Sequence, residues 1–170
     1  GFTFGLPPTI TSLTPTSAGA GNTVTITGTN LLGATAVDFG GTPATSFTVN
    51  SATSVDAVVA TGTSGTVSLT TPFGTATLAG FTFVSAPAMS SFNPTSAGTG
   101  TTVTITGLNF TGATAVSFGG TPATSFTVTS ATTIDAVVGA GASGSVSVTT
   151  PGGSTSLPGF TYIPAPVVSS

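Results

Sequence analysis

Residues 10–44, ITSLTPTSAGAGNTVTITGTNLLGATAVDFGGTPA, decide the fold. At their centre Thr23-Val24-Thr25-Ile26-Thr27 alternates strictly between apolar and polar. A period of two predicts a strand with Val24 and Ile26 turned inward and the threonines outward. Val37 and Phe39 alternate with Ala36 and Asp38 in the same way. Branching at Cβ suits Thr and Val to a pleated surface, and no segment carries a 3.6-residue period. Gly28, Gly33 and Gly40-Gly41 punctuate the run at turn spacing. Further along, Phe47 and Val49 flank Thr48, Val67 and Leu69 alternate with small polar residues, and Phe81 and Phe83 flank Thr82. Gly62, Gly65 and Gly74 separate these runs. About seven short strands bounded by turns are the pattern of a β-sandwich.

The same pattern occurs twice. A shift of 79 residues aligns the chain with itself without gaps, with 52 identities between residues 8–86 and 87–165. Pro15 falls on Pro94, Phe39 on Phe118, Asp56 on Asp135 and Phe81 on Phe160. Val24 and Ile26 return as Val103 and Ile105, and Val67 and Leu69 as Val146 and Val148. This period exceeds the 20–50 residues of a solenoid repeat and fits a small domain. The expected division is residues 7–85 and 86–164 as two domains. Residues 1–6 are expected to be the tail strand of a preceding repeat, because GFTF at 1–4 matches 80–83 and GFTY at 159–162. Residues 165–170 are expected to open a following repeat, since 166–170 align with 87–91. Two readings of these overhangs fit: a window on a longer tandem array, or end strands exchanged between neighbouring copies. Between the modules, Val84-Ser85-Ala86-Pro87 is a short proline-containing linker, expected to be stiff.

Composition limits the chemistry. The 170 residues include no Lys, Arg, His, Cys or Trp, and the net charge is −3. Thr and Ser number 40 and 21, and only 2% of residues are charged, against about 25% in ordinary soluble domains. Without basic residues the chain cannot neutralise phosphates, which excludes nucleic-acid binding by counterion release and docking on anionic membranes. Without His or Cys it lacks the usual ligands for zinc, haem, copper and iron–sulfur centres. It equally lacks imidazole or thiol chemistry. No run approaches 18 apolar residues, so no membrane insertion of this segment is expected. The first residues have neither a basic nor an apolar leader region, so any signal peptide is expected to be absent or removed. Apolar residues make up 38% of the chain, enough to build a core and to argue against disorder.

The ionisable side chains are Asp38, Asp56, Asp135 and Tyr162. Asp56 and Asp135 recur in both copies. Calcium needs six to eight oxygens and usually several carboxylates, and each copy offers one here. They are therefore read as strand residues, or as turn residues that bond backbone amides. Asp38 becomes Ser117 in the second copy, so no paired-carboxylate arrangement repeats. Gly40-Gly41-Thr42-Pro43 and Gly119-Gly120-Thr121-Pro122 lack the Gly-Lys-Ser/Thr of a phosphate loop and predict hairpins. Asn109-Phe110-Thr111 fits a glycosylation sequon that Asn30-Leu31-Leu32 does not repeat. The outward threonines admit three readings: a flat hydroxyl array for ice, glycan or mineral, sites of O-glycosylation, or a strand-favouring polar residue where charge is avoided. Phe39, Phe47, Phe81 and Phe83 read as core. A sugar platform needs exposed Trp or Tyr, which leaves Tyr162. No catalytic, cofactor-binding or metal-ligating residue is assigned, no cofactor is expected, and the chain is read as not an enzyme.

Residues 10–44 resemble the opening of an IPT/TIG domain, as does MSSFNPTSAGTGTTVTITGLNFTGATAVSFGGTPA at 89–123. The shared elements are the Pro-Thr-Ser turn, Thr-Val-Thr-Ile-Thr-Gly and Val-x-Phe-Gly-Gly. The endings SGTVSLTTPFG…GFTF and SGSVSVTTPGG…GFTY match the close of that family. Leu31 departs from its usual Phe, which Phe110 keeps. The resemblance implies an all-β fold of two tandem immunoglobulin-like β-sandwich domains. It also implies a role outside the cell or at its surface, among adhesins, receptor ectodomains and accessory domains. The transcription-factor branch is excluded by the lack of basic residues.

The expected function is therefore that of a structural repeat module in an extracellular bacterial surface fibre or adhesin stalk, self-assembling into filaments. The alternative is a glycan- or host-surface-binding module carried on such a stalk. The expected partners are other copies of the chain, as a homo-oligomer or filament, and neighbouring repeats. Sheet edges are usually guarded by Lys, charge or Pro, and here Lys is missing.

Overall fold

In the first module the alternating segments form strands in sequence order. They are β1 (Thr9–Thr14), β2 (Ser17–Ala18), β3 (Thr23–Thr29), β4 (Ala36–Phe39), β5 (Thr42–Pro43), β6 (Ser46–Ser51), β7 (Ser54–Val58), β8 (Gly65–Thr71) and β9 (Gly74–Phe83). The second module repeats them as β10 (Ala88–Asn93), β11 (Ser96–Ala97), β12 (Thr102–Leu108), β13 (Ala115–Phe118), β14 (Thr121–Pro122), β15 (Ser125–Ser130), β16 (Thr133–Val137), β17 (Gly144–Thr150) and β18 (Gly153–Tyr162). The computed structural model describes residues 5–166, and no helix occurs among them. The chain divides into two compact units, Gly1–Ser85 and Ala86–Ser170. Of the expected tail strand at residues 1–6 and the expected repeat start at 165–170, residues 1–4 and 167–170 lie outside the described residues.

Each unit is a two-sheet sandwich. In the first, one sheet has the order β1-β3-β7-β6 and the other β2-β9-β8-β4-β5. The second unit has β10-β12-β16-β15 and β11-β18-β17-β13-β14. This is the A-B-E-D and G-F-C arrangement of an immunoglobulin-like domain. The opening strand is split: β1 pairs antiparallel with β3, whereas β2 pairs parallel with β9. The cis Thr14–Pro15 peptide lies at this passage between sheets, and Asn93–Pro94 repeats it.

The units thus carry nine strand segments each, against about seven read from turn spacing. The extra ones are the two-residue β2 and β5, too short to show an alternation.

Alternation sets the core as expected. Val24, Ile26, Val55, Val67 and Leu69 are fully buried, as are Val103, Ile105, Ile134, Val146 and Val148. Phe39 and Phe81 meet with ring centroids 4.8 Å apart, and Phe118 and Phe160 at 4.9 Å. Phe47 and Phe83 are half-buried and pack against the core. Fully burying one such side chain contributes about 1.5–3 kcal/mol. Leu31, the departure from the family pattern, is fully buried, and Phe110 fills the equivalent position. The local backbone fits both: Leu31 N–H donates to Ala52 O and Phe110 N–H to Ala131 O, each at 2.9 Å.

Candidate functional surface

The acids that recur in both copies sit on strands. Asp56 lies on β7, opposite Thr25 of β3 on one side and Thr48 of β6 on the other. Its carboxylate accepts hydrogen bonds from Thr25 Oγ1 at 2.7 Å and Asn50 Nδ2 at 2.8 Å. These two donors, Thr25 first, hold the Asp56 carboxyl below its ordinary range. Asp135 accepts from Thr104 Oγ1 at 2.7 Å. Thr129 replaces Asn50 there, and its hydroxyl donates to Thr133 O. Both acids are strand residues whose partners are side chains, not the backbone amides of a turn.

Asp38 accepts from Ser68 Oγ at 3.0 Å, and Ser117 and Ser147 share a hydrogen bond at 2.6 Å in the same place. No group of three or more His, Cys, Asp or Glu side chains converges among the described residues.

Gly40 and Gly41 form the two-residue turn between β4 and β5, with φ of 57° and 81°. Gly119 and Gly120 repeat it at 56° and 84°. Two positive φ values are what a type I′ hairpin turn requires.

The sequon lies in a tight loop. Asn30 and Asn109 take φ of 57° and 59°, the left-handed region that Asn tolerates better than most residues. Asn30 Nδ2 donates to Pro7 O at 3.0 Å, and Asn109 Nδ2 to Ala86 O at 2.9 Å. Each asparagine ties its loop to the segment leading into its own module. In the sequon the middle residue, Phe110, is a core plug.

Many threonine hydroxyls bond within the sheets. Thr9 and Thr29 share a hydrogen bond at 2.8 Å, Thr70 and Thr75 one at 2.9 Å, and Thr11 Oγ1 donates to Thr27 O. Thr71 and Thr150 are buried and close the β8–β9 and β17–β18 turns, each accepting a backbone N–H two residues on. Tyr162 packs against its core and shares a 2.7 Å hydrogen bond with Thr99.

Leu6, Asn30, Leu32, Ala52 and Phe73 line a shallow cleft of about 190 Å3 in the first unit. Leu6, Leu32 and Phe73 are 63%, 61% and 49% exposed. The positions 79 residues later are Ser85, Asn109, Thr111, Ala131 and Gly152, so this apolar lining does not repeat. Phe73 follows Pro72 in a turn, where no strand period flags it as in or out.

No curated protein matches the chain in sequence. Among solved structures it is similar to a SGBP-B from a complex xyloglucan utilization locus in Bacteroides uniformis. The identity is 23% over 91% of this chain and 49% of that one, with a TM-score of 0.45. It is also similar to a surface glycan-binding protein from Prevotella bryantii, at 19% identity, 93% and 42% coverage and a TM-score of 0.41. Against the plexin A4 extracellular region the values are 22%, 93%, 16% and 0.54. The chain spans about half or less of these structures, and the likeness is one of fold. The IPT/TIG domain model matches residues 8–84 and 87–162. Those two matches cover the two sandwiches, with their split opening strands and Gly-Gly hairpins, and the chain belongs to the IPT/TIG family as two tandem domains.

Proposed function

We propose that this chain is a structural repeat unit of an extracellular or cell-surface fibre or stalk, without catalytic activity, whose copies associate with one another. The observation that carries the reading is the duplication itself. Two sandwiches with the same strand order, two-thirds identical in sequence, follow each other with four residues, 84–87, between β9 and β10. Their repeated surface features are uncharged hydroxyl pairs and isolated carboxylates, each occupied by its own neighbours. The module supplies a folded body with its own core; repetition supplies length. Near-neutrality supports association between copies. Immunogold labelling of the source cells tests the reading. Label along surface filaments or stalks is expected, and label confined to the cell interior overturns it.

A second reading is favoured by the cleft around Phe73. Phe73, half-exposed beside Leu6 and Leu32, widens the expectation that confined a sugar platform to Trp or Tyr: its ring is an apolar aromatic face on which a sugar ring can stack. Glycan-array binding by the native chain that is lost in Phe73→Ala would establish a binding module. An array without specific binding removes it.

A further inference from the structure

We infer that the free edges of β6 and β15 are docking surfaces for a second copy of this chain, joined by antiparallel edge-to-edge strand pairing. The inference deepens the self-association reading above and rests on it.

Each sandwich has four sheet edges, and the structure treats them differently. The edges β2, β5, β11 and β14 are two residues long, too short to template a partner strand. The edge strand β1 is interrupted in its middle, where the register shifts between Ile10 and Ser12, and β10 repeats this between Met89 and Ser91. In β6 the shift falls only at the end, between Val49 and Ser51, and leaves Ser46–Val49 regular. β15 has its shift at the same place. Among the described residues no strand pairs with the outer side of β6 or β15. Alternate residues of an edge strand point their N–H and C=O groups away from the sheet.

The usual guards are missing from these edges. β6 reads Ser46-Phe47-Thr48-Val49-Asn50-Ser51 and β15 reads SFTVTS, with no charge and no proline in either. The nearest charge is Asp56, one strand inward opposite Thr48. In a β6–β6 pair the two Asp56 residues are separated by three strand spacings, about 14 Å. That exceeds the screening length of about 8 Å at physiological salt, so the acids do not oppose pairing.

The occupant follows from the same residues. Phe47 and Val49 are half-buried, with their covered sides on the core. An identical strand added antiparallel brings its own Phe47 and Val49 to the same face and its Thr48 hydroxyl to the other. A two-fold pairing of this kind is self-complementary. β6 and β15 differ only at Asn50/Thr129, so each edge accepts either one. Two such edges make the chain bivalent.

Sedimentation of the native chain across a concentration series tests this, alongside Thr48→Lys/Thr127→Lys, which places charge at two exposed edge positions. Native association, with loss of association in a variant of unchanged circular dichroism, is the expected result. Undiminished association of the folded variant overturns the edge assignment and leaves self-association standing. A native chain that stays monomeric overturns both. Should the lysine variant fail to fold, Thr48→Cys introduces the sole thiol for a nitroxide label. Label separations within about 20 Å in associated material are expected from strand spacing, with none for Thr77→Cys on the other sheet. The reverse pattern overturns the proposal.

Discussion

Gly40 packs its α-carbon against the carbonyl oxygen of Thr63, so closely that a Cβ there would overlap that oxygen. Gly119 stands in the same relation to Ala142. Gly41, the next residue, faces open space although its φ is also positive. Left-handed backbone costs an L-residue about 1–2 kcal/mol. Gly41→Ala should therefore destabilise its unit by about that much. Gly40→Ala adds a backbone collision and should cost about 3 kcal/mol or more. Urea unfolding of the two variants checks the order, and equal losses would refute the close-packing account.

The asparagine tethers separate backbone from side-chain effects. Asn30→Gly keeps the left-handed φ and loses the bond to Pro7 O, an expected cost of about 1 kcal/mol. Asn30→Ala loses both and should cost about 2–3 kcal/mol. Asn109 should behave alike through Ala86 O. Equilibrium denaturation of the four variants measures this, and a glycine variant as unstable as alanine would show that the amide bond dominates.

Phe110 and Leu31 occupy the same core site with different volumes. Phe110→Ala should cost about 3–5 kcal/mol and Leu31→Ala about 2–5 kcal/mol. Phe110→Leu, which copies the residue of the first module, should cost a fraction of the alanine change. Thermal unfolding of each variant reads the ranking.

The first module should lose stability in acid through Asp56. Asp56 has a lowered pKa in the folded state, so its contribution is fully present above about pH 4 and is lost as pH falls through the lowered value. Asp56→Asn should flatten the fall in stability of the first unit between pH 5 and pH 2, and Asn50→Ala should flatten part of it. Urea midpoints across that range test the sign; a variant that loses stability in acid as steeply as the native chain would contradict it.

What the sequence discloses follows from range. Val24, Ile26, Val103 and Ile105 are legible because a period of two needs only neighbouring residues. The Gly-Gly hairpins are legible because their φ demands are local. The Thr25–Asp56 bond is not, because register joins residues 31 apart and nothing local encodes it. The split of the opening strand into β1 and β2 hides for the opposite reason: two residues are too few to show a pattern. Phe73 escapes because an apolar residue in a turn belongs to no period. The unguarded edge lies between these cases, since the missing lysine is visible but the identity of the edge strand needs topology.

The parallel pairing of β2 with β9 has a consequence for how a tandem chain carries tension. Thr82 N–H donates to Thr16 O at 2.9 Å and Val84 N–H to Ala18 O at 3.0 Å. Thr161 and Ile163 bond Thr95 and Ala97 in the same way. These strands lie near the two ends of each module and run in the same direction. Pulling on the ends drags β2 toward its start and β9 toward its finish, so the bonds between them are loaded together, in shear. An antiparallel terminal pair would instead peel apart one bond at a time. Each module is thus closed by a clasp that is loaded in shear when its own two ends are drawn apart.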